Sequence, residues 1–297
     1  MLVSVVIRTL NEAKHLTELL RALDSQRKLG FEMEVVIVDS GSEDETLNIA
    51  EQFGCRVTKI KKQEFTFGRS LNLGCAFADG EILTFVSGHC VPIGQGWLES
   101  LIGPIVKGQA GYSYGRQVGR ETTKFSEERI FEKYFPSESY ISTENIFCNN
   151  ANSAISKRVW SQYKFDESVT GLEDMELAKR YLNDGGSLAY IAKASVFHIH
   201  DETWSQTKVR YEREAIALQK ILPEVHIGLL DFVRFLVVGI YLDAKVASRQ
   251  GVFMRELAGI IRFRTAQYLG SYAGGRFSRE LSQEKKDSYY YPAIRRK

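Results

Sequence analysis

The chain has few of the features that mark specialised architectures. Its 4 cysteines, Cys55, Cys75, Cys90 and Cys148, are widely spaced and form no Cys-x-x-Cys pair. That excludes a zinc ribbon and gives no reason to expect a disulfide framework. Only 5 prolines occur among 297 residues, with no low-complexity tract and no internal repeat, so a linker-rich or solenoid design is excluded as well. A membrane-spanning helix needs about 20 consecutive apolar residues. The best stretch, "LLDFVRFLVVGIYLDAKVA", is broken by Asp231, Arg234 and Asp243. The first residues, "MLVSVVIRTLNEAKHL", do not read as a signal peptide, because Arg8, Asn11 and Glu12 interrupt a short apolar core. The expectation is a cytoplasmic protein with reduced thiols. Net charge is +2, which neither demands nor forbids a polyanionic partner, and nothing calls for nucleic acid. The charge is uneven, however: from Lys245 to Lys297 the basic residues outnumber the acidic ones roughly three to one.

What is present is a β-α-β rhythm. "LVSVVI" and "EVVIVDS" are apolar runs that end abruptly in polar residues, as strands buried on both faces do. Between them Leu16, Leu19, Leu20 and Leu23 recur at helical spacing. A helix over "EDETLNIAEQFG", a short strand "RVTKI", a helix over "FGRSLNLGCAFADG" and a strand "EILTFV" follow. Repeated units of this kind imply an α/β fold with a mainly parallel sheet and right-handed crossovers. In such sheets ligands bind beyond the C-terminal strand ends. That rule selects Arg8 to Glu12, Asp39 to Ser42 and Ser87-Gly88-His89 as one mouth. Further on, "AGYSYGRQ" reads as a strand, "TTKFSEERIFEKYFPSESYISTENIF" as a loop over the site, and "SLAYIAKASVFHIH" as a strand pair. Beyond residue 201 the chain reads as helices, with a boundary near Pro223, and "SQEKKDSYYYPAIRRK" as partly disordered.

"SVVIRTLNEAKHL", "VVIVDSGSEDETLNIA", "FGRSLNLG" and "GLEDMELAKRY" occur in an order that resembles the family 2, inverting glycosyltransferases of GT-A fold. "NANSAI" ahead of "FDESVTGLED", with a later "FHIH", is similar to the rhamnosyltransferase-like branch that builds bacterial surface polysaccharides such as O-antigen or capsule. The resemblance covers about residues 1–205. It implies a GT-A (Rossmann-like) mixed, mainly parallel sheet flanked by helices over residues 1–223, with a nucleotide-sugar half to about 115 and an acceptor half from 116. A basic helical extension over 224–297 lies outside it.

The resemblance also implies roles. Thr9, Asn11, Glu12, Asp39 and Ser42 fall where the family contacts the nucleotide, and the chemistry agrees: a carboxylate at a strand end can pair a base N–H or a ribose hydroxyl. Arg69 and Asn72 fall near the helix that meets the phosphates, where the family's Arg-Asn is replaced by Leu71-Asn72. Asp174 takes the place of the base that deprotonates the acceptor hydroxyl, with Glu173 beside it to contact the acceptor or cap the helix. The metal-binding Asp-x-Asp falls on Ser87-Gly88-His89, so His89 stands where the ligand carboxylate would be. Neutral imidazole suits Mn²⁺ or softer ions better than Mg²⁺. His198 and His200, at strand spacing, would share a face with each other and bring the imidazoles to three. Two readings of the site remain open: a divalent metal on His89, His198 and His200, or a metal-free site whose cations, Arg69 or Arg116 among them, neutralise the phosphates. Phe65, Phe67, Tyr112, Tyr114, Phe131, Tyr134 and Phe135 read mostly as core.

The expected partners are a nucleotide diphosphate sugar donor and a saccharide or lipid-linked saccharide acceptor. The lost Asp-x-Asp also admits a degenerate, non-catalytic binder of nucleotide or glycan. The apolar, basic helices after residue 224 suit either the inner face of the cytoplasmic membrane or a homodimer.

Overall fold

The computed structural model describes residues 1–225, 227–276 and 289–290. They fall into two compact units. The first comprises Met1–Arg120, Tyr134–Ser168 and Glu173–Ile199; the second comprises Glu121–Lys133, Val169–Leu172 and the chain from His200. The second unit thus begins some twenty residues before Pro223 and recruits two earlier segments.

In chain order the elements are β1 (Leu2–Thr9), α1 (Ala13–Asp24), β2 (Glu32–Asp39), α2 (Thr46–Gln52), β3 (Arg56–Lys59), α3 (Phe67–Phe77), β4 (Ile82–Val86), β5 (Cys90–Pro92), α4 (Trp97–Val106) and β6 (Tyr112–Val118). Then come α5 (Phe125–Tyr134), β7 (Tyr140–Ser142), β8 (Asn152–Ser156), α6 (Lys157–Tyr163), α7 (Glu173–Asn183), β9 (Leu188–His198), α8 (Trp204–Ile221), α9 (Leu229–Arg249) and α10 (Phe253–Gly274). Two expectations are corrected here. The segment read as a loop contains α5 and β7; in α5 the buried Glu127 and Phe131 and the Arg129–Glu132 ion pair lie at helical spacing. The supposed strand pair is one 11-residue strand, β9, with no turn. Residues 282–297, read as partly disordered, lie outside the described residues except for Tyr289 and Tyr290.

The nine strands among the described residues form one sheet in the first unit, in the order β3-β2-β1-β4-β8-β6-β9-β5, with β7 on β9. The first four strands are parallel, as the β-α-β rhythm requires. Antiparallel pairing begins where β8 joins β4. The core lies between this sheet and its helices: Val3, Val5 and Ile7 of β1 meet Leu16, Leu19, Leu20 and Leu23 of α1 and Trp97, Leu98 and Leu101 of α4, all buried. Each such side chain contributes about 1.5–3 kcal/mol through burial. On the other face α3 approaches closely because it carries Gly74, where a Cβ would lie 2.5 Å from Val6 Cγ1 and 2.7 Å from Val38 Cγ2.

Within the second unit α10 packs along both α8 and α9. A capping box at Thr203 and Gln206 starts α8. The buried pair Arg264–Asp243 ties α10 to α9, Nε to Oδ2 at 2.7 Å and Nη2 to Oδ1 at 2.8 Å.

Candidate active site

The parallel register Thr9↔Asp39 brings the ends of β1 and β2 level. Thr9 Oγ1 donates to Asp39 Oδ1 at 3.1 Å, and Ser42 Oγ donates to the same oxygen at 2.5 Å. Oδ2 of Asp39 accepts the backbone N–H groups of Gly41 and Ser42 at 2.9 and 3.0 Å. The buried carboxylate is therefore engaged by four internal donors, and its direct work is to shape the 39–42 loop. Asn11 sits in the left-handed region at φ 56°, donates its N–H to Ser42 Oγ and accepts from Glu43 N through Oδ1. Four of the expected nucleotide residues, Thr9, Asn11, Asp39 and Ser42, thus form one network at the sheet mouth.

Glu12, the fifth, turns toward Ser87-Gly88-His89. Its Oε1 lies 3.1 Å from His89 Nδ1. Gly88 makes room for this approach, since a Cβ there would lie 2.8 Å from Glu12 Cγ and 3.0 Å from its Cδ. His89 immediately precedes Cys90, which pairs across the ladder with His198. The two imidazoles stack at 5.2 Å between centroids, with their Nε2 atoms 3.3 Å apart. The Nδ1 of His198 meets Oε1 of buried Gln117 at 2.6 Å. A carboxylate and an amide oxygen can only accept, so both Nδ1 atoms carry a proton, and in the neutral tautomer this puts a lone pair on each Nε2. Two lone pairs facing each other at this distance need a cation or a shared proton between them. The donor set fits a divalent ion: two imidazole nitrogens on one ion, each about 2.1 Å away, stand about 3.0–3.4 Å apart.

In the second unit His200, beyond the end of β9, has its own support. Its Nδ1 lies 2.7 Å from Glu127 Oε1, to which Arg210 Nη2 also donates at 2.6 Å. Burial alone would raise the Glu127 carboxyl, but the His200 hydrogen bond and the positive charges around it hold it down to about 2. Burial, then the Arg210 charge, lowers the His200 pKa, against the Glu127 hydrogen bond and charge, which raise it. His198 and His200 do not share a strand face, because β9 ends at His198.

Asp174 stands in the first turn of α7, directly after Leu172 (φ 54°) and Glu173. Its Oδ2 accepts from Asn150 N and its Oδ1 from Met175 N, both at 2.8 Å. Burial first, then the neighbouring Glu173 carboxylate, pushes its carboxyl up to about 7, against those two N–H groups and the charge of Arg8. Glu173 itself faces Arg8 Nη1 at 3.3 Å, and Arg8 is fixed by Phe67 O at 3.2 Å and by the Phe67 ring, 4.9 Å away. A carboxyl poised near neutrality suits proton abstraction.

Arg69 and Asn72 are spent elsewhere. Arg69 Nε donates to Glu167 Oε2 at 2.8 Å. Asn72 donates to Phe165 O and Glu167 Oε1 and accepts from Trp160 Nε1 and Phe165 N, a full complement. Both position the 165–167 segment, and Asn72 has no donor or acceptor left for a phosphate. Of the seven aromatics read mostly as core, Tyr112, Tyr114, Phe131 and Phe135 are buried, Phe65 and Phe67 are half-buried, and Tyr134 is exposed. Gln117 and Asn150 escaped the sequence reading. Asn150 had a signal in "NNANSAI"; Gln117 had none, because only the pairing of β6 with β9 brings it to His198.

The description Glycosyl transferase family 2 matches residues 4–162. The O-antigen chain rhamnosyltransferase WbaN of Salmonella anatum is 25% identical over 197 residues, which cover 63% of this chain and 62% of that protein, so the chain spans about three fifths of that relative's length. Among solved structures, the mannosyltransferase PcManGT from Pyrobaculum calidifontis, in complex with GDP-Man and Mn²⁺, has a TM-score of 0.61 at 16% identity, over 91% of this chain and 84% of that one. Residues 1–349 of Staphylococcus aureus TarS, in complex with UDP, have a TM-score of 0.55 at 18% identity, over 100% and 93%. The architecture is the GT-A fold of these structures, with helices following the sheet domain.

Proposed function

Because the chain belongs to glycosyl transferase family 2, we propose that it is an inverting enzyme of the hexosyl or rhamnosyl type, acting in the cytoplasm. It moves a sugar from a nucleotide diphosphate sugar to a saccharide or lipid-linked saccharide acceptor in the synthesis of a bacterial surface polysaccharide. The likeness to WbaN favours O-antigen, and the PcManGT and TarS complexes favour a nucleotide-sugar donor.

Asp174 carries the reading. In its ionised form it takes the proton of the acceptor hydroxyl as that oxygen attacks the anomeric carbon from the side opposite the leaving diphosphate. Burial keeps it basic enough for the task, and Asn150 N and Met175 N hold its two oxygens in place. Glu173 and Arg8 set the local charge. The loop shaped by Asp39, with Thr9, Asn11 and Ser42, receives the base and ribose. His89 and His198 would hold a divalent cation, Mn²⁺ in preference to Mg²⁺, whose charge would offset that of the departing diphosphate. The support is local to each ring: both have Nδ1 on an oxygen acceptor and turn Nε2 toward the other ring.

The test is incubation of purified protein with a panel of nucleotide sugars and Mn²⁺, following nucleotide diphosphate release and assigning product anomeric configuration by NMR. Release of the diphosphate with inverted product supports the reading. A retained configuration rejects the role given to Asp174. Nucleotide binding without turnover of any donor leaves a non-catalytic binder in its place.

A further inference from the structure

The second unit has a surface that sugar transfer does not use. On α9 the residues buried by packing, Gly239, Asp243 and Ala247, form one narrow stripe. The opposite side is apolar. Leu230 (85% exposed), Val233, Val237 (60%) and Tyr241 (61%) follow one another at three- and four-residue spacing, and Val238 and Leu242 widen the face. Arg234, Lys245 and Arg249 stand exposed among them. Neither acid of α9 is exposed: Asp243 is buried against Arg264, and half-buried Asp231 accepts from Gly228 N at the helix start. α10 repeats the pattern, with Met254 (85%), Ile261 and Leu269 exposed alongside Arg255 and Arg262.

We propose that this face docks on an anionic phospholipid bilayer, with α9 lying in the plane of the headgroups. Its apolar side chains reach the acyl boundary, while Arg234, Lys245 and Arg249 extend along them to lipid phosphates. No helix among the described residues is long and apolar enough to cross a membrane, so the helix lies on the surface. Charge selects this occupant over a second copy of the chain. A two-fold interface on α9 would gather the same three cations from each copy with no exposed acid on that helix to meet them. A leaflet rich in anionic lipid supplies the missing negative charge.

The experiment uses the full chain and vesicles of phosphatidylcholine with or without phosphatidylglycerol, read by co-sedimentation. The comparison protein is Leu230→Gln/Val237→Gln, at positions exposed enough for the fold to persist, which circular dichroism verifies. Binding to phosphatidylglycerol vesicles, weakened by salt and falling about tenfold or more in the double variant, is the expected result. Absence of binding, or binding that the double variant leaves unchanged, overturns the proposal. So does a dimer that forms without vesicles and dissociates in the double variant, which would assign the face to a second copy.

Discussion

The Nε2 atoms of His89 and His198 point at each other across 3.3 Å, each ring tethered from behind through Nδ1. In the proposed metal site such a pair would offer one ligand atom from each ring to a single cation. With purified, chelator-treated protein, Mn²⁺ titration followed by electron paramagnetic resonance should show binding, and Mg²⁺ should compete poorly because it prefers oxygen ligands. His89→Ala and His198→Ala should each abolish the high-affinity phase. Unchanged Mn²⁺ binding in either variant would remove that histidine from the ligand set, and no Mn²⁺ binding by the wild type would favour a metal-free site.

Gln117 is buried away from the Asp39 loop, yet its Oε1 accepts from His198 Nδ1 and so fixes that ring's tautomer. Gln117→Leu removes that acceptor at similar volume. Mn²⁺ affinity should fall about 10- to 100-fold, the usual effect of losing a partner behind a ligating histidine. Gln117→Glu restores an acceptor and should retain binding. Equal affinity in wild type and Gln117→Leu would remove Gln117 from the site.

For Asp174 the pH dependence follows from the sign of its shift. The carboxyl is raised to about 7, and only the ionised form accepts a proton, so kcat should climb as pH rises through that value and level off above it. Glu173→Gln removes the like charge and should move the rise to lower pH. Arg8→Gln removes a cation that favours ionisation and should move it to higher pH. Asp174→Asn should lower kcat by about a hundred- to ten-thousand-fold while nucleotide binding, measured by calorimetry, stays intact.

Much of this was legible in the sequence because it is local. Leu16, Leu19, Leu20 and Leu23 announce α1, and the polar ends of "LVSVVI" and "EVVIVDS" announce where β1 and β2 stop; both readings hold. His89 could be found because Ser87-Gly88-His89 follows a strand in the expected order. What sequence could not show is what register and packing decide. Gln117 reaches His198 only through the β6–β9 pairing, with its irregularity between Gly115 and Gln117. Asn72 looks like a phosphate contact by position, but Trp160 and Phe165 claim its amide. The second unit begins at His200 and draws in Glu121–Lys133 and Val169–Leu172, pieces too short to carry a compositional signature.

The pair Arg264–Asp243 gives a stability prediction independent of catalysis. Both side chains are nearly sequestered, and the two hydrogen bonds at 2.7 and 2.8 Å are bidentate, so each charge satisfies the other in a place where neither meets bulk water. Asp243→Ala leaves the guanidinium buried without its counter-charge and should cost about 3–5 kcal/mol. Asp243→Val combined with Arg264→Met removes both charges at roughly similar combined volume and should recover most of that loss, since a buried ion pair is often no more stabilising than well-packed apolar residues. Urea denaturation, combined with hydrogen exchange of the α9 and α10 amides, separates the outcomes. Full protection of α9 in Asp243→Ala would mean that helix packing alone, through Gly239 and Ala247, holds the two helices together.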